Sequence, residues 1–377
     1  MKSILFFMES LDGGGAEGAL ENIVTCLDKS RFDVHVLSET DGEERTERIR
    51  AQCSHRCFAR KNTSGSLFRE AYNRVVFKFS CSAPITLVRR IFIRGSYDVE
   101  VAGCEGYAAK LIAASAKDKA KKVAWIHTDV LNNPWSESVY KRGAAEEKAC
   151  YGKFDAIVCV SETIRDAFVQ KYGYADKVHL IHNIVDDEAI REKGAEGDAA
   201  VPARPHFVMV GNFRKVKGYD RAVRVFARLR EEGYAFSVRI MGAGYEREAV
   251  ESLVRELRME PVIELMDFQP NPFKYVRAAD AYICSSYAEG YSTSVSEAVI
   301  LGVPVITTDC SGMREIFGDK ECGIICENSE DGLYAALRSV LDVPEKLKYF
   351  RAQAAERSRA FSKQALISEL QSFLETL

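Results

Sequence analysis

Charge of one sign is the first thing this sequence lacks: 52 basic and 55 acidic residues leave a formal net charge of -3 over 377 residues, with no long basic tail. Nucleic acid is therefore not an expected partner, because a phosphate backbone calls for a basic face. Long apolar runs are missing too. Residues 4–8 are too few for the core of a secretory leader, and nothing approaches the roughly 20 apolar residues of a membrane helix. The eleven cysteines show no paired framework spacing. The closest sets, Cys53/Cys57 and Cys322/Cys326, lack the second Cys or His pair that would complete a zinc site. Free thiols in a reducing cytoplasm are the expectation. There are no internal repeats or low-complexity tracts, and no Asp-x-Asp motif to clamp a metal-bound diphosphate.

What is present is alternation. Short β-rich runs at 4–8, 33–37, 98–102, 123–126 and 156–160 are separated by helix-length amphipathic stretches, the signature of a parallel α/β layer. The pattern breaks from Asp186 to Pro205, where charged, Ala, Gly and Pro residues take over. It restarts at 206–210, 237–241, 262–265, 281–284 and 303–307. A chain of 377 residues exceeds the usual size of one core. Two doubly wound domains, 1–187 and 206–360, joined by a linker 188–205, are the simplest account. The tail is helical in pattern from Pro344, interrupted at Phe361-Ser362. In its last segment, 361–377, Ala365, Leu366, Leu370, Phe373 and Leu374 should share one face.

Three loops carry chemistry. Asp12-Gly13-Gly14-Gly15-Ala16-Glu17 ends the first strand and opens a helix, so its backbone can approach a ligand and its amides favour phosphate oxygens. It has neither dinucleotide G-x-G-x-x-G spacing nor a P-loop Lys-Ser/Thr, which disfavours nicotinamide enzymes and NTPases. Gly211-Asn212-Phe213-Arg214-Lys215-Val216-Lys217-Gly218 places three cations before the first helix of the second domain; read alone, such cations are usually solvated. The most specific segment runs from Ser285 to Ala298. Glu289 falls in its loop and Glu297 about one and a half turns into the helix, so both can face a ligand where the strands end.

These motifs, with Trp125-Ile126-His127-Thr128, Gly302-Val303-Pro304-Val305 and Ser311-Gly312-Met313-Arg314-Glu315, resemble the retaining glycosyltransferases of family 4, and the resemblance covers essentially the whole chain. It implies a GT-B fold: two Rossmann-like domains facing a central cleft, with a C-terminal helix returning to the first. It implies transfer of a sugar from a nucleotide diphosphate donor, UDP by family habit with GDP or ADP open, to a glycan or lipid-linked acceptor in bacterial-type surface polysaccharide or glycoconjugate synthesis. By the same resemblance, Lys217 neutralises the leaving pyrophosphate, Glu289 holds donor-sugar hydroxyls and His127 positions the transferred sugar. Gly14 and Gly15 approach the donor phosphates, Ser292 and Thr293 line them, Glu297 accepts from the ribose hydroxyls, and Phe268 lies near the base. No cofactor or metal is expected. One departure is Asn212, where the family usually has Arg; Arg214 could supply that charge. A nucleotide-sugar 2-epimerase and an inactive partner subunit of the same fold are the alternatives.

Between 60 and 94 the charge is lopsided. Arg60, Lys61, Arg69, Arg74, Lys78, Arg89, Arg90 and Arg94 face only Glu70, interleaved with Phe68, Tyr72, Phe77, Phe79, Ile91 and Phe92. Two readings stand side by side: an anionic membrane surface on the inner face, each cation adding about 1 kcal/mol, or a solvated helix pair packed on the first domain.

Overall fold

All ten apolar runs read from the sequence are strands. A computed structural model describes residues 1–377 apart from 13, 43, 61–65, 115–118, 198 and 202–204. Gly13 of the glycine loop, Lys61 of the basic stretch and positions 198 and 202–204 of the expected linker thus lie outside the described residues. The chain forms two compact units, Met1–Ile184 with Gln364–Leu377, and Val185–Lys363.

The first unit holds β1 (Lys2–Met8), β2 (Phe32–Thr40), β3 (Ser54–Ala59), β4 (Val99–Ala102), β5 (Lys121–Ile126), β6 (Ala156–Cys159) and β7 (Val178–Leu180). Their order is β3-β2-β1-β4-β5-β6-β7, every pair parallel. The order reverses direction between β1 and β4. In a doubly wound sheet, that reversal opens a crevice at the carboxyl ends of the strands. Residues 4–8 of β1 are essentially inaccessible, as a strand covered on both faces must be.

The second unit holds β8 (His206–Val210), β9 (Ser237–Met241), β10 (Ile263–Met266), β11 (Ala281–Cys284), β12 (Val305–Thr308) and β13 (Gly323–Cys326), in the order β10-β9-β8-β11-β12-β13. Two hydrophobic clusters pack its layers, one including Phe207, Phe213 and Phe226, the other Val299, Val303 and Met313. The reversal here lies between β8 and β11, so the loops that follow those two strands are neighbours.

Two local expectations need correction. Much of the expected linker is a helix, Asp187–Gly194, whose Asp186 cap accepts from the Ala189 amide at 3.1 Å and whose Ile190 is buried in the second unit's core. With little besides Ile190 to bury among charged neighbours, it leaves almost no apolar period to read. In the final helix, Lys363–Thr376, the buried residues are Ile367, Leu370, Gln371, Phe373 and Leu374; Ala365 is exposed and Leu366 only half-buried. The buried stripe runs i, i+3, i+4, i+7 from Ile367. That helix completes the first unit: Lys2 Nζ donates to the Leu374 carbonyl at 2.9 Å, Arg31 Nε donates to Glu375 at 2.9 Å, and Phe373 lies 4.8 Å from the His179 ring.

Candidate functional site

At the reversal of the second sheet, the loop after β8 is fastened to the loop after β11. Gly218 sits at φ +62 with its α-carbon against the neighbouring chain; a Cβ there would lie 2.1 Å from the Ser285 carbonyl oxygen. Ser285 Oγ is within 2.9 Å of the Lys217 and Gly218 carbonyls, and the Tyr287 amide donates to the Val216 carbonyl at 2.7 Å. Gly218→Ala is expected to lose at least about 2 kcal/mol of unfolding free energy, read from the midpoint of a urea titration.

Arg221, three residues on, was not singled out from the sequence. Its buried guanidinium donates to the carbonyls of Ser285 at 2.7 Å and Ser286 at 2.6 Å and to Asn328 Oδ1 at 2.8 Å, and lies 4.1 Å from the Tyr287 ring centroid. It holds the two loops in place from beneath. A buried arginine with a full set of acceptors is a positioning device, because its planar fork fixes several carbonyls at once.

The result is a close pairing of the two residues predicted for catalysis in this unit. Lys217 Nζ donates to Glu289 Oε1 at 2.6 Å, and Ser286 Oγ donates to the same oxygen at 2.5 Å. Burial works against the Lys217 ammonium, but the carboxylate beside it prevails and raises its pKa. A half-buried cation is thus held charged at the end of β8.

Glu297 is different. Its carboxyl has no hydrogen bond or ion pair among the described residues, and burial pushes it up to about 7. It lies four residues beyond Thr293 on the helix Thr293–Ile300, so the two share a face. The Ser292 hydroxyl is already engaged: it caps that helix, accepting from the Val295 amide at 3.5 Å, and lies 3.3 Å from Ser294 Oγ. Arg214 is exposed, with no side-chain partner among the described residues. Phe268 follows the edge strand β10, two strands from β8, and shows an open ring.

In the first unit, the backbone at Gly15 is open, whereas Gly14 is covered: a Cβ on it would meet Glu17 Oε2 at 2.0 Å. An anion reaching Gly14 requires Glu17 to move. His127 ends β5. Its Nε2 lies 3.1 Å from the Gly103 carbonyl and must carry the proton there; burial pushes the imidazole down to about 4, so it is neutral. Its amide and that of Thr128 donate to Glu105 Oε1 at 2.7 and 2.6 Å. Glu105 and Glu9 were both missed from sequence, being single acids after β4 and β1. Glu9 accepts from the Tyr107 and Ala108 amides at 3.0 and 3.2 Å, and burial pushes it up to about 7.

Beside the ends of β2 and β3 lies a cavity of about 390 Å³ lined by Asp12, Glu39, Asp41, Arg60, Asn73 and Phe77, among others. Asn73 Nδ2 donates to the Arg60 carbonyl at 2.7 Å, while its Oδ1 is buried without a partner. Within the basic stretch, Arg89 is no surface cation: it makes a buried ion pair with Glu100 of β4, at 2.9 and 2.7 Å. Among the described residues, no group of three or more His, Cys, Asp or Glu is placed to hold a metal, and no helix is long and apolar enough to cross a membrane.

The family model Glycosyltransferase Family 4 matches residues 13–189, and Glycosyl transferases group 1 matches 186–357. The chain is 29% identical over 217 residues to the N-acetylgalactosamine-N,N'-diacetylbacillosaminyl-diphospho-undecaprenol 4-alpha-N-acetylgalactosaminyltransferase of Campylobacter jejuni, covering 56% of this chain and 58% of that one. It is 29% identical over 190 residues to the putative colanic acid biosynthesis glycosyltransferase WcaL of Escherichia coli K12, covering 47% and 46%. It thus spans about half the length of the curated relatives it matches. The crystal structure of HepE from Anabaena in complex with UDP and glucose superposes over 100% of both chains with a TM-score of 0.78 at 17% identity, which shows the shared fold. From residue 13 to residue 357 the two family matches run almost without a break, and this chain belongs to the family 4, group 1 glycosyltransferases of the GT-B fold.

Proposed function

We propose that the protein transfers a sugar from a UDP-sugar to a lipid-linked saccharide in surface glycoconjugate assembly, with retention of anomeric configuration and without a metal. The observation that carries this reading is the Lys217–Glu289 pair together with Glu297, eight residues on from Glu289, whose desolvated carboxyl has no partner among the described residues. When the anomeric carbon leaves its diphosphate oxygen, negative charge grows on that oxygen, and a cation already fixed in a half-buried site stabilises it without reorganisation. Glu289 then accepts from sugar hydroxyls and Glu297 from the ribose. Gly14, Gly15, Thr293 and the cap at Ser292 offer backbone amides to phosphate, Phe268 offers its ring to the base, and Arg214 supplies the charge that Asn212 does not. Neutral His127, with Nε2–H engaged, presents Nδ1 to the transferred sugar. Retention is supported by family membership, and UDP by the ligand named for HepE.

The cavity of the first unit suits the acceptor. Its volume falls in the ligand-pocket range, its carboxylates and Asn73 Oδ1 can take sugar hydroxyls, and the Phe77 ring can pack on a sugar face. The Campylobacter relative's name specifies a diphospho-undecaprenol acceptor, which supports the lipid-linked class.

In a thermal-shift screen, a UDP-sugar at a hundredfold excess over its dissociation constant should stabilise the protein by about 2.7 kcal/mol, with EDTA making no difference, while GDP- and ADP-sugars do nothing. Arg214→Ala should weaken that shift; if it leaves donor affinity and turnover intact, Arg214 has no such role. UDP should be released only when acceptor is present. Release without acceptor would instead point to an epimerase-type reaction, and absence of any donor shift to an inactive subunit. Phe77→Ala is expected to raise the acceptor KM about tenfold and leave donor affinity unchanged.

A further inference from the structure

We infer that Trp135 is a stacking platform for the acceptor's sugar ring that receives the transfer. This deepens the transferase reading given above, yet its test needs neither donor nor turnover. The indole opens the short turn Trp135–Val139, in the loop that follows β5 and His127. It is 40% exposed, on a loop fixed from several sides. Asp129 Oδ1 accepts from the Leu131 and Asn132 amides, both at 3.0 Å. Lys171 Nζ donates to the Val130 carbonyl and to Glu137 Oε1, each at 2.5 Å, and Lys110 Nζ donates to the Val139 carbonyl at 2.9 Å. A single exposed aromatic needs no explanation. One whose loop is tied down on both flanks has already lost the freedom that binding would otherwise remove.

The ring itself is anchored at two edges. Its Nε1–H donates to Thr128 Oγ1 at 3.3 Å, and that hydroxyl donates in turn to Glu105 Oε1 at 2.9 Å. The same carboxylate oxygen holds the His127 amide, so one acid sets the register of both the indole and the imidazole. The six-membered end rests on Gly106, where a Cβ would lie 3.1 Å from Cη2 and Cζ3. With its N–H engaged, the exposed part of the indole offers only apolar π surface. Beside a histidine read as facing the transferred sugar, the ligand with a matching surface is a second pyranose, whose C–H groups form an apolar side of the ring. β5 lies three strands from β2 in the sheet, about 14 Å at ordinary strand spacing, so the platform is distinct from the cavity beside β2 and β3. That separation makes the acceptor longer than one sugar: its reacting ring lies on Trp135 while the part nearer the lipid reaches the cavity lined by Phe77.

The chain has two tryptophans, and Trp125 is buried within β5, so acrylamide quenching of intrinsic fluorescence reads Trp135. The probes are the methyl β-glycosides of glucose, galactose, N-acetylglucosamine and N-acetylgalactosamine. Mannitol, an open-chain polyol without a ring face, and UDP are the controls. At least one glycoside should shield Trp135 from acrylamide, while mannitol and UDP leave the quenching unchanged. Trp135→Leu should weaken binding of that glycoside about tenfold in saturation-transfer NMR, and Trp135→Phe, which keeps a ring, by about threefold or less. No shielding by any glycoside, equal shielding by mannitol, or a Trp135→Leu variant that binds as wild type does overturns the proposal. So does a loss of melting temperature in both variants with glycoside affinity unchanged, the mark of an indole that only covers Gly106. Shielding in a protein that transfers no sugar would keep the platform and count against the transferase reading; transfer without shielding would do the reverse.

Discussion

Replacing Glu297 by glutamine is expected to stabilise the ligand-free protein at pH 8 and, in the same variant, to remove most of its affinity for the donor. The carboxyl is desolvated with no partner to compensate, which pushes it from 4.5 up to about 7. The folded chain therefore keeps this proton to a higher pH than the unfolded chain does. Below pH 4.5 the group takes nothing from stability; through the window up to about 7 its opposition grows, and above that it is complete. The gap between 4.5 and about 7 corresponds to roughly 3 kcal/mol. Glutamine has no charge to desolvate, so urea titrations should show the variant more stable by up to about that amount at pH 8 and by under about 1 kcal/mol at pH 5. Loss of charge-assisted bonds to the ligand should cost about tenfold to a hundredfold in donor affinity. A variant that gains stability and binds donor normally would place the carboxylate away from the ligand.

Lys217→Ala is expected to cut kcat by about a hundredfold to a thousandfold, the largest loss of activity from any single change in the site. It also strands Glu289, whose Oε1 keeps only the Ser286 hydroxyl and a distant Cys284 thiol. The double variant Lys217→Ala, Glu289→Gln should therefore be more stable than Lys217→Ala alone, by about 1 kcal/mol or more. Lys217→Arg should recover stability but little turnover, since a planar fork cannot occupy the space of a compact ammonium. If Lys217→Ala turns over at the wild-type rate, leaving-group neutralisation lies elsewhere.

Interior strands were legible in the sequence because both of their faces are covered, which forces continuous apolar runs such as residues 4–8 and 281–284. The three strands that escaped, β3, β7 and β13, are all at sheet edges. An edge strand such as Ser54–Ala59 alternates exposed and half-buried positions, so no apolar run announces it. The site divides in the same way. Lys217, Gly218, Glu289 and Glu297 sit at strand ends in spacings that only a ligand or a tight loop contact explains. Arg221 reads as one of several charges on the amphipathic helix Tyr219–Glu231, and nothing local distinguishes it from Arg224, which pairs with Asp220 and Glu330 at the surface. Its role depends on carbonyls more than sixty residues away. Arg89 misled for the same reason: its partner, Glu100, belongs to a strand beyond the basic stretch.

The helix Lys363–Thr376 has a consequence for biosynthesis. The first unit contains both Met1–Ile184 and Gln364–Leu377, with the whole second unit, Val185–Lys363, between them in the message. While the second unit emerges from the ribosome and can fold as an uninterrupted piece, the first must wait with Lys2, Arg31 and His179 lacking their partners on the final helix. Order of synthesis and order of completion are thus inverted. A released chain truncated after Lys363 should carry a protease-resistant second unit and a first unit still open to cleavage.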